Sequence, residues 1–258
     1  MMASPYSPVV DDRWFRGVIH GVVMADFWGT EAAGEGVKPL EDDRDWRSQF
    51  LQIVKTEALG QESAEYVSRE VFVQMAQRSQ PGLLLLALPV VLVQANCYSH
   101  RSYPWRVWTA SLGLPEQSLV LIDQAFQMVC SAMAGQPSDL GSSQGEPLTP
   151  IQRLLKASQG QFSLAIRLAR QQGGDPLLVS WLGAVTLIQG GWTALPSSFR
   201  HGCLESVAWG QRWGNLDETD LNQLGLNLYD RWRGRRPRPF SQDDFPIHGL
   251  QRVNDPDL

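Results

Sequence analysis

The chain is poor in the residues that most often reveal chemistry: three cysteines and four histidines in 258 residues. Cys97, Cys130 and Cys203 are far apart and odd in number. They form neither a zinc-ligand pair nor a disulfide framework, and a reducing compartment suits them. Long hydrophobic runs are missing too. The longest, Leu83 to Val93, has eleven residues and contains Pro89, too few to cross roughly 30 Å of bilayer hydrocarbon; a buried core helix is expected there. Basic residues are outnumbered, 22 Lys and Arg against 27 Asp and Glu. The resulting net charge of -5 gives no general attraction to nucleic acid or to an anionic membrane. The opening MMASPYSPVVDD has no basic segment followed by an apolar one, so it does not read as a secretory signal, and a cytoplasmic location is expected. Repeats of solenoid period and strand-like alternation of useful length are absent.

What is abundant is apolar residues, 43% of the chain, at helical spacing. This predicts an all-α protein with enough core for one compact multi-helix domain over residues 13–233. Arg47 to Leu59 places Phe50, Leu51, Val54 and Ala58 on one face. Glu62 to Gln77 does so with Ala64, Val67, Val71, Phe72 and Met75. Pro115 to Ala134 carries the clearest stripe: Leu119, Ile122, Phe126, Val129 and Met133. Thr149 and Pro150 read as an N-cap and first-position pair opening one long helix through Leu154, Leu155, Phe162, Ile166 and Ala169. Gly173 and Gly174 stop it. Helices follow over Ser197 to Trp213, less regular, and Glu218 to Arg233, with Leu221, Leu224, Leu228 and Trp232 inward. Gly135 to Pro147, dense in Gly, Ser and Pro, reads as a flexible loop, and 234–258 as a flexible tail.

Two segments carry a family signature. Gly17 to Gly29 (GVIHGVVMADFWG) has the spacing G-x3-G-x4-D-x2-G through Gly17, Gly21, Asp26 and Gly29. Gly173 to Pro196 (GGDPLLVSWLGAVTLIQGGWTALP) begins with Gly-Gly-Asp and continues into a small-residue helix. Together they resemble the opening and closing segments of the ADP-ribosylglycohydrolase family. That resemblance implies an all-α fold with a central two-metal site built from both ends of the chain. The four-residue spacing of Gly17 and Gly21 is itself a packing signal, since it lets a second helix backbone approach closely.

The resemblance stops at the chemistry. Where the family has D-x-D-T, Asp175 is followed by Pro176, Leu177 and Leu178, and leucines cannot ligate a hard divalent cation, which takes oxygen donors. Asp175 with Pro176 reads equally as a helix N-cap followed by a first-position proline. The sole counterpart of the family's tandem aspartates is Asp42-Asp43, which is followed by Arg44. A solvated acidic lead-in to a helix explains that pair as well. In Pro81 to Val93, leucines stand where the family helix carries polar residues before its proline.

The chain therefore reads as a non-catalytic relative acting as a binding or regulatory module, with no catalytic residues, metal or cofactor expected. Its partner would be a protein or a nucleotide-like ligand. The alternative is a hydrolase cleaving the glycosidic bond of ADP-ribosylated protein or a related ribosyl compound. Asp26, Asp42, Asp43 and Asp175 would be its acids, and Mg or Mn would be held by Asp42, Asp43 and Asp175.

Other candidates are weaker. His20, among apolar residues, reads as a hydrogen-bonded packing residue. Cys97 and His100 could form a reactive pair, but no third group orients them. Among ten tryptophans, Trp105 and Trp108, interleaved with Arg101 and Arg106, are the leading candidate partner surface. Arg231, Arg233, Arg235, Arg236 and Arg238 form one short basic patch, read as the solvated end of the last helix or a contact for an acidic protein, with no nucleic acid expected.

Overall fold

The computed structural model describes residues 11–31, 44–59, 64–94, 108, 110–134, 148–195, 197–214 and 216–235. Regular structure among them is entirely helical, in agreement with the all-α expectation. In chain order the helices are α1 (Asp12–Glu31), α2 (Arg44–Leu59), α3 (Ala64–Arg78), α4 (Gln80–Gln94), α5 (Glu116–Met133) and α6 (Thr149–Ser158). Then come α7 (Phe162–Gln171), α8 (Pro176–Gly190), a short 3-10 turn (Trp192–Ala194), α9 (Ser197–Leu204), α10 (Val207–Trp213) and α11 (Glu218–Trp232).

Two of these helices are apolar nearly all round, which fits burial on every side. Gly82 to Leu92 of α4 are buried without a break, and so are Val179 to Ile188 of α8. The eleven-residue apolar run is therefore a core helix, and no described helix is long and apolar enough to cross a membrane. Helix α4 is packed by α2, α3, α5, α8 and α11, while α8 is packed by α1, α4, α5 and α7.

The most intimate packing joins α1 to α8. A Cβ on Gly17 would strike the carbonyl oxygen of Leu187, and one on Gly21 would lie 2.5 Å from the carbonyl oxygen of Gly183. Gly183 is close in return, with Ala25 and the Gly21 carbonyl against it. The two helices thus meet backbone to backbone, as the four-residue glycine spacing implies. Since Gly17 faces Leu187 and Gly21 faces Gly183, they run antiparallel. The chain end of α1 and the start of α8 therefore lie at one end of the pair.

Three sequence expectations need correction. The helix expected from Thr149 to Ala169 is two helices, broken where Gln159 and Gly160 take positive φ of 51° and 73°. The Ser158 hydroxyl donates to the Leu155 carbonyl and Gln159 N–H to Lys156, closing the first helix. Thr149 does not cap that helix: the cap position is Leu148, with no side-chain hydrogen bond, although Pro150 does lie in the first turn. The segment Ser197 to Trp213 is likewise two helices, the second capped by the Ser206 side chain on Trp209 N–H. The stripe expected on α5 does face the core: Ile122, Val129 and Met133 are buried, Leu119 and Phe126 pack at the margin, and Ser118, Leu121, Ala125, Met128 and Ala132 complete the buried face.

Candidate functional site

The antiparallel α1–α8 pair brings the two family-like aspartates to the same end of the pair. Counted from the Gly21–Gly183 contact, Asp175 lies about one turn beyond the level of Asp26. Their surroundings differ completely. Asp26 is fully buried near the end of α1. Arg47 of α2 grips it with two parallel hydrogen bonds, Nε to Oδ2 and Nη2 to Oδ1, both 2.8 Å. The Trp213 indole Nε1 of α10 donates a third, 2.9 Å to Oδ2. Arg47 in turn lies over the Trp46 ring at 5.0 Å, and Trp46 meets Trp213 edge-on at 5.8 Å. A planar guanidinium matches a carboxylate in this forked geometry, and the aromatic walls keep water off the pair.

Asp175 is exposed. Its Oδ1 accepts the Leu177 N–H at 2.7 Å, and Pro176 occupies the first turn, so it is the N-cap of α8. Next to it, Leu177 and Leu178 pack against the core.

The residues present do not fit the pair of divalent cations that the family resemblance implies. Both oxygens of Asp26 already accept charged or polar N–H groups, and a dication there would sit against the Arg47 guanidinium. Repulsion at such range is severe in a water-poor site. The candidate ligands Asp42 and Asp43 lie outside the described residues. Among the described residues no group of three or more His, Cys, Asp and Glu side chains could hold a metal ion.

Trp105, Arg101, Arg106, Cys97 and His100 also lie outside the described residues. Trp108 is half-buried and packs edge-on against Phe72 at 5.1 Å, so part of its ring belongs to the core margin. Of the arginine patch, Arg231, Arg233 and Arg235 fall within the described residues, at the end of α11.

A second cluster, at the other end of the α1–α8 pair, was not legible as a unit in the sequence. Trp192, immediately after α8, stacks on His20 of α1 with ring centroids 5.5 Å apart and planes 26° apart. The Arg16 and Arg200 guanidiniums lie over the same indole at 5.7 and 4.8 Å. Arg16 pairs with Asp12 one turn back, and Arg200 with Glu218 of α11 at 2.7 Å.

His20 itself was expected to be a hydrogen-bonded packing residue, and its Nδ1 does meet the Arg16 carbonyl at 2.9 Å. A carbonyl only accepts, so Nδ1 carries the proton and Nε2 of the neutral ring is a bare acceptor. Burial pushes the His20 pKa down to about 4, against the opposing influence of the Arg16 carbonyl.

The sign of the resulting pH dependence follows directly. Below pH 6.5 the unfolded chain binds a proton that folded His20 refuses until about pH 4. This contribution to stability is whole above pH 6.5 and is lost as pH falls toward 4, in total about 3 kcal/mol. Urea midpoints at pH 7.5 and 4.5 should therefore lie closer together in His20→Gln than in the wild type. Equal acid losses in the two proteins would refute it.

Compared with protein-family models, curated proteins and solved structures, the chain has no match.

Proposed function

We propose that this chain is a non-catalytic, ADP-ribosylglycohydrolase-like protein that works as a binding or regulatory module. One observation carries the reading. The carboxylate at the family's opening-helix position, Asp26, is held by a forked arginine and an indole N–H and is fully buried. A general acid or base must reach substrate, and a metal ligand must present free lone pairs; Asp26 does neither while Arg47 is in place. The contact of the glycine-marked opening helix with the helix that begins at Asp175 supports the family part of the reading. What remains for the module is recognition, of a nucleotide-like ligand or of a protein partner.

Calorimetric titration with ADP-ribose, with and without Mg²⁺ or Mn²⁺, tests this. Metal-independent binding is expected for a nucleotide-sensing module. Binding or glycosidic cleavage that requires metal, and that Asp175→Asn abolishes, would establish the hydrolase instead. In the proposed module Asp175→Asn changes only the cap of α8, by a few tenths of a kcal/mol, because Asn caps about as well as Asp.

A further inference from the structure

The cluster around Trp192 holds three buried polar nitrogens without a hydrogen-bond partner: Arg16 Nε, Arg200 Nε and His20 Nε2. Buried polar atoms are almost always paired, so three orphans grouped about one indole need an explanation. Two are donors that always carry a proton, on groups of permanent positive charge. The third is an acceptor, because the Arg16 carbonyl fixes the proton on Nδ1. His20 is fully buried, whereas Arg16 and Arg200 side chains retain 21% and 19% exposure, and Trp192 is half-buried beside exposed Thr193. The cluster therefore reaches the surface along the arginines and closes on the histidine.

We propose that Arg16, His20 and Arg200 around Trp192 form a binding site for an oxyanion that still bears a proton at neutral pH, namely inorganic phosphate. Two unprotonated oxygens accept from the arginine Nε–H groups, and the remaining P–OH donates to His20 Nε2. Asp12 and Glu218 face the cluster and hold the guanidiniums by their other nitrogens, so the Nε–H groups are oriented without being consumed. A metal cation in the posture that His20 Nε2 offers is excluded by the two adjacent guanidiniums. The site lies away from Asp26 and Asp175 and stands whatever becomes of the function proposed above.

The donor-to-acceptor pattern gives a sharp test. At pH 7.5 phosphate carries a proton and sulfate carries none. Calorimetric titration of the full chain at constant ionic strength should show saturable binding of inorganic phosphate at least tenfold tighter than sulfate. Arg200→Lys, which keeps the charge but removes Nε–H, should weaken phosphate binding tenfold or more, with an unchanged helical circular-dichroism spectrum confirming that it folds. An AMP titration at pH 7.5 is the second arm: a monoester has lost its last proton there, so AMP should bind at least tenfold more weakly than phosphate, and AMP binding as tightly would overturn the proposal. Absence of saturable phosphate binding, or sulfate binding as tightly, would overturn the proposal and leave a buried water as the partner of the three nitrogens.

Discussion

Gly21→Val is expected to lower stability by about 3 kcal/mol or more, at or above the top of the usual overpacking range. Overpacking a core ordinarily costs 1–3 kcal/mol because side chains shift to make room. Here the obstacle is backbone. The new Cβ would lie 2.5 Å from the Gly183 carbonyl oxygen and 2.6 Å from the Ala184 Cα, and neither can rotate away. Relief requires α1 and α8 to separate, which opens the seam that Gly17 and Ala25 also share. Gly202→Ala in α9 is the control: it is exposed and nothing lies within 4 Å of its Cβ position. That change should stabilise by about 0.4–1 kcal/mol through helix propensity. Urea unfolding of both variants checks this; a Gly21→Val midpoint equal to the wild type would mean that the two helices do not meet at these glycines.

Arg47→Met is expected to cost about 3–5 kcal/mol, because it removes the guanidinium that binds both oxygens of a fully buried carboxylate. The Trp213 Nε1 donor is neutral and cannot compensate a charge. The double variant Asp26→Asn/Arg47→Met removes the charge together with its partner, while the Asn carbonyl oxygen still accepts from Trp213. It should recover most of the loss, since replacing a whole buried ion pair is far cheaper than breaking it. Equilibrium unfolding of the wild type, both singles and the double gives the coupling energy directly. Additive costs in the double variant would refute the pair as the lock between α1, α2 and α10.

Much of the architecture could be read from residues that speak for themselves. The apolar run from Leu83 has no polar face, so it had to be buried on every side. Gly17 and Gly21, four apart, announced a close helix neighbour but not its identity, which depends on where Gly183 arrives in space. The break at Gln159 was hidden because Leu155 and Phe162 are seven apart, a spacing that one straight helix and two joined helices satisfy equally. Gly160 was the available signal, and apolar periodicity outweighed it. On α5 the apolar spacing drew a stripe whose Ile122, Val129 and Met133 are indeed buried, and the small Ser118, Ala125 and Ala132 beside them carried no such signal.

The candidate sites divide along the same line. Asp175 was legible as an N-cap because a cap uses its own backbone two residues on, and Asp175 followed by Pro176 is a local pattern. Asp26 stood out by its spacing from Gly21, yet its partners Arg47 and Trp213 lie 21 and 187 residues away. No periodicity links them. The Trp192 cluster draws on α1, α9, α11 and the turn after α8, so no window of sequence contains it. The sequence by itself determined the helical class, the buried run from Leu83 and the cap at Asp175, since these follow from period, hydropathy and local hydrogen bonding. Only the tertiary structure decided that Asp26 is neutralised and that two arginines and a histidine converge on one indole. Both depend on long-range packing, in which each charge is set by what the fold places beside it.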